Sequence, residues 1–317
     1  MFRHKAIAMT WVIIQLAVTP GLTKDGGSGA AAQKPGEEIA VKRQKVSFYF
    51  SPHGDDWQLF MNPPAFDNVL DTTTKVVFIH TTAGDAGLGA DTGGRKHPYY
   101  LARENGSETA IRFMADAGQP PADRIPAWLD INGHRIYRVE YRNTAVYFLR
   151  LPDGSLEGAG YKETGFQSLK RLAEGKTRTI TAVDGSAIYK GWGDLVATIR
   201  GILDRERGQA SSVQLNLPDP DEAINPGDHP DHLMTGKAVL EAAKDIACAS
   251  QFLYTGYAGA KLPENLNSAQ KEQEISVFAA TVIGLLALDH TSTWQPHYRE
   301  FLGRNYYRVQ NPAAACY

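Results

Sequence analysis

The chain has 317 residues, of which 43% are hydrophobic and 21% charged, and its 33 basic and 35 acidic side chains give a net charge of -2. This length and composition indicate a globular protein with one large core or two smaller ones, and we favour one domain. No basic run stands out, so neither a nucleic acid nor an anionic membrane surface is indicated as a partner. A small neutral or weakly charged molecule fits the composition better.

The amino-terminal segment predicts an exported protein. A basic start precedes an apolar run from Ala6 to Thr19, which is short for a membrane span and typical of a signal peptide, here assigned to residues 1–23. A flexible polar linker is expected over residues 24–43. The protein would then be secreted or periplasmic, without stable membrane insertion after cleavage. The alternative is an uncleaved amino-terminal anchor.

Apolar strands alternate with helical segments over residues 44–317, which we assign to the folded domain. This alternation predicts an α/β fold, with a Rossmann-like, mostly parallel sheet flanked by helices. Strands are predicted at 45–50, 75–80, 212–217 and 252–257, and helices at 57–70 (broken by two prolines), 98–117, 194–205, 233–247 and 268–288.

The pattern changes to alternating strands over residues 134–190. Asp184-Gly185 between two such runs is a strong hairpin signal. We therefore expect an accessory antiparallel hairpin insertion beside the parallel sheet, and it could form one wall of a substrate cleft.

Two polar clusters follow predicted strands. The first reads Ser-Pro-His-Gly-Asp-Asp at residues 51–56, and the second reads Asp-His-Pro-Asp-His at residues 228–232. Sites in open α/β sheets form beyond the carboxyl ends of the strands, so the clusters would meet if their strands are parallel. Imidazole and carboxylate groups bind divalent metals, and a catalytic metal keeps one position open for water.

The pair of motifs resembles the signature of the N-acetylglucosaminyl-phosphatidylinositol deacetylase family, also called PIG-L or LmbE-like. The first motif of that family is usually P-H-P-D-D-E, whereas this chain has Gly54 in place of the second proline and Trp57 in place of the glutamate. The motifs occur in the family's order. Outside them the likeness covers the order of elements over residues 45–310.

The resemblance implies a zinc-dependent deacetylase with one zinc ion per chain. Carried over by position, His53, Asp56 and His232 would be the zinc ligands. The substrate would be an N-acetylated amino sugar of the N-acetylglucosamine type, or a small-molecule or glycoconjugate derivative of it.

The resemblance also implies the other roles. Asp55 would be the general base, and His229 would face the developing oxyanion and later protonate the leaving amine. Asp231 would support His229, and we expect this carboxylate to keep the imidazole cationic. Arg103 in the helix after the glycine-rich loop, and Asp85 in that loop, are the candidate substrate contacts.

Three other interpretations use the same residues. His53-Gly54-Asp55 with a distant histidine also fits the facial triad of a non-haem iron oxygenase, an arrangement that generally belongs to an all-β jelly roll. A secreted carbohydrate-binding protein without turnover is the second alternative, for which Trp57 is the support. In the third, both clusters are turn and helix-cap chemistry.

Overall fold

The structure is a computed structural model that describes residues 45–246 and 248–310. The predicted signal peptide and the whole of the predicted linker lie outside these residues, as does Cys316, the only possible partner of Cys248 in a disulfide within the chain. None of the helices in the described ranges combines the length and apolar character that a membrane span requires.

Ten strands and eight helices are described in these ranges. The strands are β1 Lys45–Ser51, β2 Thr74–Thr82, β3 Ile125–Ile131, β4 His134–Tyr141, β5 Thr144–Leu151, β6 Ile180–Thr181, β7 Ile188–Tyr189, β8 Ser212–Pro218, β9 Ala249–Tyr254 and β10 Tyr307–Gln310. The helices are α1 Asp56–Phe60, α2 Pro64–Leu70, α3 Tyr99–Ala115, α4 Leu169–Ala173, α5 Trp192–Arg207, α6 Pro230–Ala243, α7 Ser268–Ala287 and α8 Pro296–Arg299. Short 3-10 turns lie at Lys162–Thr164 and Tyr257–Lys261.

Eight strands form one sheet in the order β10-β9-β8-β1-β2-β5-β4-β3. The five strands from β9 to β5 in this order are mutually parallel, and antiparallel strands extend the sheet at both edges. The predicted α/β fold with a mostly parallel sheet is thereby confirmed. An all-β jelly roll, on which the oxygenase alternative depends, is not what the chain forms.

Both faces of the sheet are covered, which explains the continuous apolar runs of the central strands. In β1, Phe48 and Phe50 point into a core beneath α5 and α6, while Tyr49 between them points into a second core beneath α3 and α7. Helical residues such as Ile199 and Phe278 complete the two layers. The motif turn that follows β1 is therefore held by a strand buried on both sides.

The expected insertion is only partly separate from the main sheet. The predicted hairpin is confirmed, since β6 and β7 pair as an antiparallel sheet of their own across the Asp184-Gly185 turn. Residues 134–151, in contrast, form β4 and β5, which belong to the main sheet. The reason is that β5 pairs in parallel with β2, which extends the sheet by one more buried strand.

Candidate active site

The loops that leave the carboxyl ends of the central parallel strands converge on one cavity of about 630 Å³, here called the substrate cavity. His53 follows β1, Gly84 follows β2, Asp153 follows β5, and Tyr257 follows β9, and all four line it. In the sheet, β1 lies between β2 on one side and β8 on the other, so the strand order reverses at β1. Ligands of open α/β sheets bind at such switch points.

His53, Asp56 and His232 meet beside the substrate cavity, which His53 and Asp56 line. The Asp56 carboxylate lies between the two rings, with Oδ2 3.3 Å from His53 Nδ1 and Oδ1 3.2 Å from His232 Nε2. All three side chains are buried. The backbone N–H of His53 donates to Asp56 Oδ2 at 2.6 Å, which fixes the shape of the turn. The structure therefore brings together the three residues that the sequence predicts as metal ligands.

The chemistry of this trio fits a divalent metal ion. His232 Nε2 is buried without a hydrogen-bond partner, although it faces a carboxylate oxygen. Its other ring nitrogen, Nδ1, lies 2.9 Å from Asp228 Oδ1, and a carboxylate behind a ligating histidine is the usual second contact at zinc sites. Two imidazoles and one carboxylate are also a donor set that zinc accepts.

The charges around the two imidazoles favour a cation at this point. Burial acts to lower the pKa of His232, but the Asp228 and Asp56 carboxylates outweigh it and raise the pKa to about 10. At His53 burial is likewise outweighed by Asp56 and Asp231, and the pKa lies well above its usual value. An environment that holds protons this strongly also stabilises a metal ion that replaces them.

A second group of potential ligands lies on the other side of His53. His53 Nε2 is 3.4 Å from Asp231 Oδ2 and 3.9 Å from Asp153 Oδ2, and His229 Nε2 is 4.0 Å from Asp153 Oδ1. These four residues could also hold a metal ion. Sequence reasoning missed Asp153, because Leu-Pro-Asp-Gly after a strand is an ordinary turn sequence.

Asp55 and Arg103 form a buried, bidentate ion pair beside the predicted metal ligands. Arg103 Nη2 donates to Asp55 Oδ1 at 2.7 Å and Nη1 donates to Oδ2 at 3.0 Å. Both side chains line the substrate cavity. The guanidinium therefore orients the predicted base, while each carboxylate oxygen keeps a further lone pair for a water molecule. A direct contact between Arg103 and substrate stays a prediction.

The surroundings of His229 favour a neutral imidazole, whereas the expectation from the sequence is that Asp231 keeps it cationic. Its Nδ1 accepts a hydrogen bond from the backbone N–H of Asp231 at 3.1 Å, so the ring proton is assigned to Nε2. Burial, aided by the charge of His53, lowers the pKa of His229 to about 4. The Asp231 carboxylate does not reverse this, since its Oδ2 accepts from Gly154 N–H at 2.8 Å and lies 3.8 Å from the ring.

Asp85 organises the loop that supports the site. Its side chain is fully buried, and its two oxygens accept hydrogen bonds from the backbone N–H groups of Gly89 and Asp153 at 2.7 and 2.8 Å. These contacts link the glycine-rich loop to the Asp153 turn. The predicted substrate contact of Asp85 is not among them, and it stays a prediction.

Trp57 takes part in a buried chain of hydrogen bonds behind the predicted metal ligands. Its Nε1 donates to Ser107 Oγ at 3.0 Å, and this oxygen lies 2.8 Å from Nε2 of His80. His80 Nδ1 in turn lies 3.1 Å from the carbonyl oxygen of His53. Because burial lowers the pKa of His80 to about 4, the ring is neutral and can accept at Nε2 and donate at Nδ1. The chain thus fixes the backbone of a predicted ligand.

One wall of the substrate cavity comes from the region of the predicted insertion, residues 134–190, but not from its hairpin. One wall comes from the segment after β5, including Asp153, Leu156 and Tyr161, and the opposite wall comes from residues 257–261 and 297–301. Among the described residues that line the cavity, none belongs to the β6–β7 hairpin, so the expectation that the hairpin forms a wall is wrong. The hairpin packs instead with Ile180 and Tyr189 in the core beneath α5.

Comparisons with known proteins give structural likenesses only. No family model matches the sequence, and neither does any curated protein. The chain is similar to the N,N'-diacetylchitobiose deacetylase of Pyrococcus horikoshii complexed with its inhibitor MPG, with 14% identity, coverage of 86% of this chain and 88% of that one, and a TM-score of 0.41. It is also similar to a deacetylase of the teicoplanin biosynthesis pathway, with 17% identity, coverage of 76% of this chain and 84% of that one, and a TM-score of 0.41. A third similar structure is GalB, the 4-carboxy-2-hydroxymuconate hydratase of Pseudomonas putida KT2440, with 14% identity, coverage of 81% of this chain and 82% of that one, and a TM-score of 0.38.

Proposed function

We propose that this chain is a zinc-dependent amide hydrolase of the PIG-L or LmbE-like kind, which removes the acetyl group from an N-acetylated amino sugar or a conjugate of it. The observation that carries the proposal is the convergence of His53, Asp56 and His232, with Asp55 one residue from a ligand and facing the same cavity. In the reaction the amide C–N bond breaks, a water oxygen bonds to the carbonyl carbon, and a carboxylate and an amine leave.

Two imidazoles and one carboxylate would hold the metal, namely His53, Asp56 and His232. When bound there, zinc would polarise the amide carbonyl and acidify a water molecule toward neutral pH. Asp228 holds the His232 ring from behind. The Trp57 hydrogen-bond chain holds the backbone of His53, and the ring of His53 is oriented by Asp56.

Asp55 accepts the proton of the attacking water. Its carboxylate is fixed by two hydrogen bonds from Arg103, which leaves it a single orientation toward the substrate cavity. A base held in this way needs no rotation before it reacts, and positioned proton transfer contributes about 10² to 10⁴ in rate. The role proposed for Arg103 is therefore to orient the Asp55 carboxylate, in addition to any contact with the substrate.

His229 stabilises the oxyanion as a neutral donor. The hydrogen bond from Asp231 N–H to Nδ1 leaves the proton on Nε2, and this atom faces the cavity side where Asp153 lies. A neutral imidazole donates to a developing negative charge without the cost of burying a further cation beside the metal. The proton that Asp55 takes from the water passes to the departing amine, because a neutral His229 would have to become an imidazolate to supply it.

The proposal is tested by metal analysis together with acetate release from N-acetylglucosamine conjugates before and after chelation. About one zinc per chain and chelator-sensitive release are expected. Asp55→Ala should lose turnover but keep the metal, whereas His232→Ala should lose the metal itself. Full activity in Asp55→Ala would refute the assigned base, and bound iron without acetate release would favour the oxygenase.

We also propose that the protein acts outside the cytoplasm, as the amino-terminal sequence predicts. Edman sequencing of protein recovered from the periplasm or culture medium should begin after residue 23 or close to it. Recovery of the intact amino terminus with the membrane fraction would favour the anchor.

A further inference from the structure

We propose that the substrate cavity accommodates an acyl group longer than acetyl, bound along an apolar wall that starts beside the metal ligands. The wall consists of Phe60, Tyr257, Phe301 and Ala260, which all line the cavity. This inference rests on the proposed amide hydrolysis and specifies which acyl groups the same site prefers.

The apolar wall begins directly at a predicted ligand. The ring centroids of Phe60 and Tyr257 lie 5.8 and 5.1 Å from that of His232. Phe301 continues the surface, with its ring centroid 5.1 Å from Phe60 and 5.4 Å from Tyr257. The acyl carbon atoms are bonded to the carbonyl that reacts at the ligands. They therefore reach the nearest apolar surface first.

The side of His53 Nε2 is the more polar one and suits the amine half of the substrate, with Leu156 as the apolar residue on it. Asp153 and Tyr161 line the cavity there. His229 lies between the two sides, with Nε2 4.0 Å from Asp153 Oδ1 and its ring centroid 6.3 Å from that of Tyr257. The carboxylate of Asp153 pairs with the hydroxyls and amine of an amino sugar, whereas an alkyl chain would leave it unpaired. The chemistry of the two sides thus assigns the acyl group to the apolar wall.

The wall also leaves room beyond an acetyl methyl. Ala260 lies in the 3-10 turn Tyr257–Lys261, lines the cavity and packs against the Phe60 core, so a small side chain stands where a larger one would narrow the passage. A cavity of about 630 Å³ is in the range that holds drug-sized ligands. Lys261 and Glu300 lie at the charged outer part of the lining.

The experiment compares two substrate series with the full chain loaded with zinc. The first series carries acetyl, butanoyl and hexanoyl groups on the nitrogen of methyl glucosaminide. The second keeps the acetyl group and lengthens the alkyl aglycone. We expect kcat/KM to rise about fourfold for each methylene added to the acyl group, the equivalent of about 0.8 kcal/mol, and to change little with aglycone length.

Two variants in the same turn locate the effect. Ala260→Phe fills the passage and should lower the ratio of hexanoyl to acetyl kcat/KM at least tenfold. Ala258→Phe is the matched control, because Ala258 lies two residues away and faces a separate surface groove beside Ile224 and Tyr306. It should keep the wild-type ratio. A similar loss in both variants, or in neither, would overturn the assignment to this wall.

A binding measurement gives a readout that is independent of turnover. Isothermal titration of acetate, butanoate and hexanoate into the full chain should show affinity that rises with chain length, and Ala260→Phe should abolish the rise. A flat or falling acyl series with acetate still released would overturn this inference and leave the proposed function intact. A rise with aglycone length instead would place the aglycone on the wall and also overturn it. Release of no carboxylate from any substrate would refute the proposed function itself.

Discussion

Replacing Asp228 by alanine should weaken zinc binding although Asp228 does not belong to the predicted ligand trio. In the structure Asp228 Oδ1 lies 2.9 Å from His232 Nδ1 and also accepts the backbone N–H of Tyr257 at 3.0 Å. One buried oxygen atom thus fixes both the orientation of the His232 ring and the start of the turn beside it. Without it, the ring loses the partner that directs Nε2 toward Asp56.

The expected loss is about 10- to 100-fold in zinc affinity, or about 1.4 to 2.7 kcal/mol. Asp228→Asn should fall between the wild type and Asp228→Ala, because the amide oxygen can still accept from the ring but carries no charge. Competition with a zinc chelator of known affinity measures the dissociation constant. Asp221→Asn, an exposed change in the same loop, is the control.

Unchanged zinc affinity in Asp228→Ala would refute the reasoning, since it would mean that His232 does not ligate through Nε2 or is oriented by something else. A loss of affinity accompanied by unfolding would be recognised by circular dichroism of the metal-free variants. Asp228→Asn keeps the size of the side chain, and it therefore separates these two cases.

Two further predictions concern stability. Ser107→Ala leaves the Trp57 indole N–H and His80 Nε2 unpaired in the core, and it should lower the free energy of unfolding by about 2 kcal/mol or more. The control Ser276→Ala, at an exposed helical position, should lower it little, and equal losses for the two variants in urea denaturation would contradict this prediction. Burial raises the pKa of Glu274 from 4.5 to about 8. Its contribution to the free energy of unfolding is therefore complete below about pH 4 and is lost as the pH rises through 8. Glu274→Gln should reduce the fall in the free energy of unfolding across this pH range. Parallel pH profiles of the two proteins would show that Glu274 has no such effect.

The strands of the parallel core could be predicted because strands that are buried on both faces have continuous apolar sequences. β1 and β2 are runs without polar alternation, and their bounds differ from the prediction by one or two residues. β3 was missed for the opposite reason. It is an edge strand that contains Pro126 and alternates exposed with half-buried residues, so no continuous apolar run marks it.

The part of the candidate site that lies within one turn could be predicted from the sequence. The part that depends on two distant segments of the chain packing together could not. His53 and Asp56 share a turn, and His232 begins the helix after a matching strand. The Asp55–Arg103 pair joins residues 48 positions apart, and no periodicity indicates that α3 passes over the motif turn. The lowered pKa of His229 was not expected, because it depends on burial and on the charge of His53, neither of which is visible in the sequence.

Gly54 has a consequence for protein engineering. A Cβ atom at this position would lie 2.9 Å from the carbonyl oxygen of Arg103, so a side chain there, including the proline usual in the resembled motif, would force α3 away. The same helix supplies Arg103 to Asp55 and Ser107 to Trp57. The turn and α3 therefore form one exchangeable module. A graft of the motif alone into another scaffold would carry the ligands but not their supports, whereas a graft of both segments would keep the geometry.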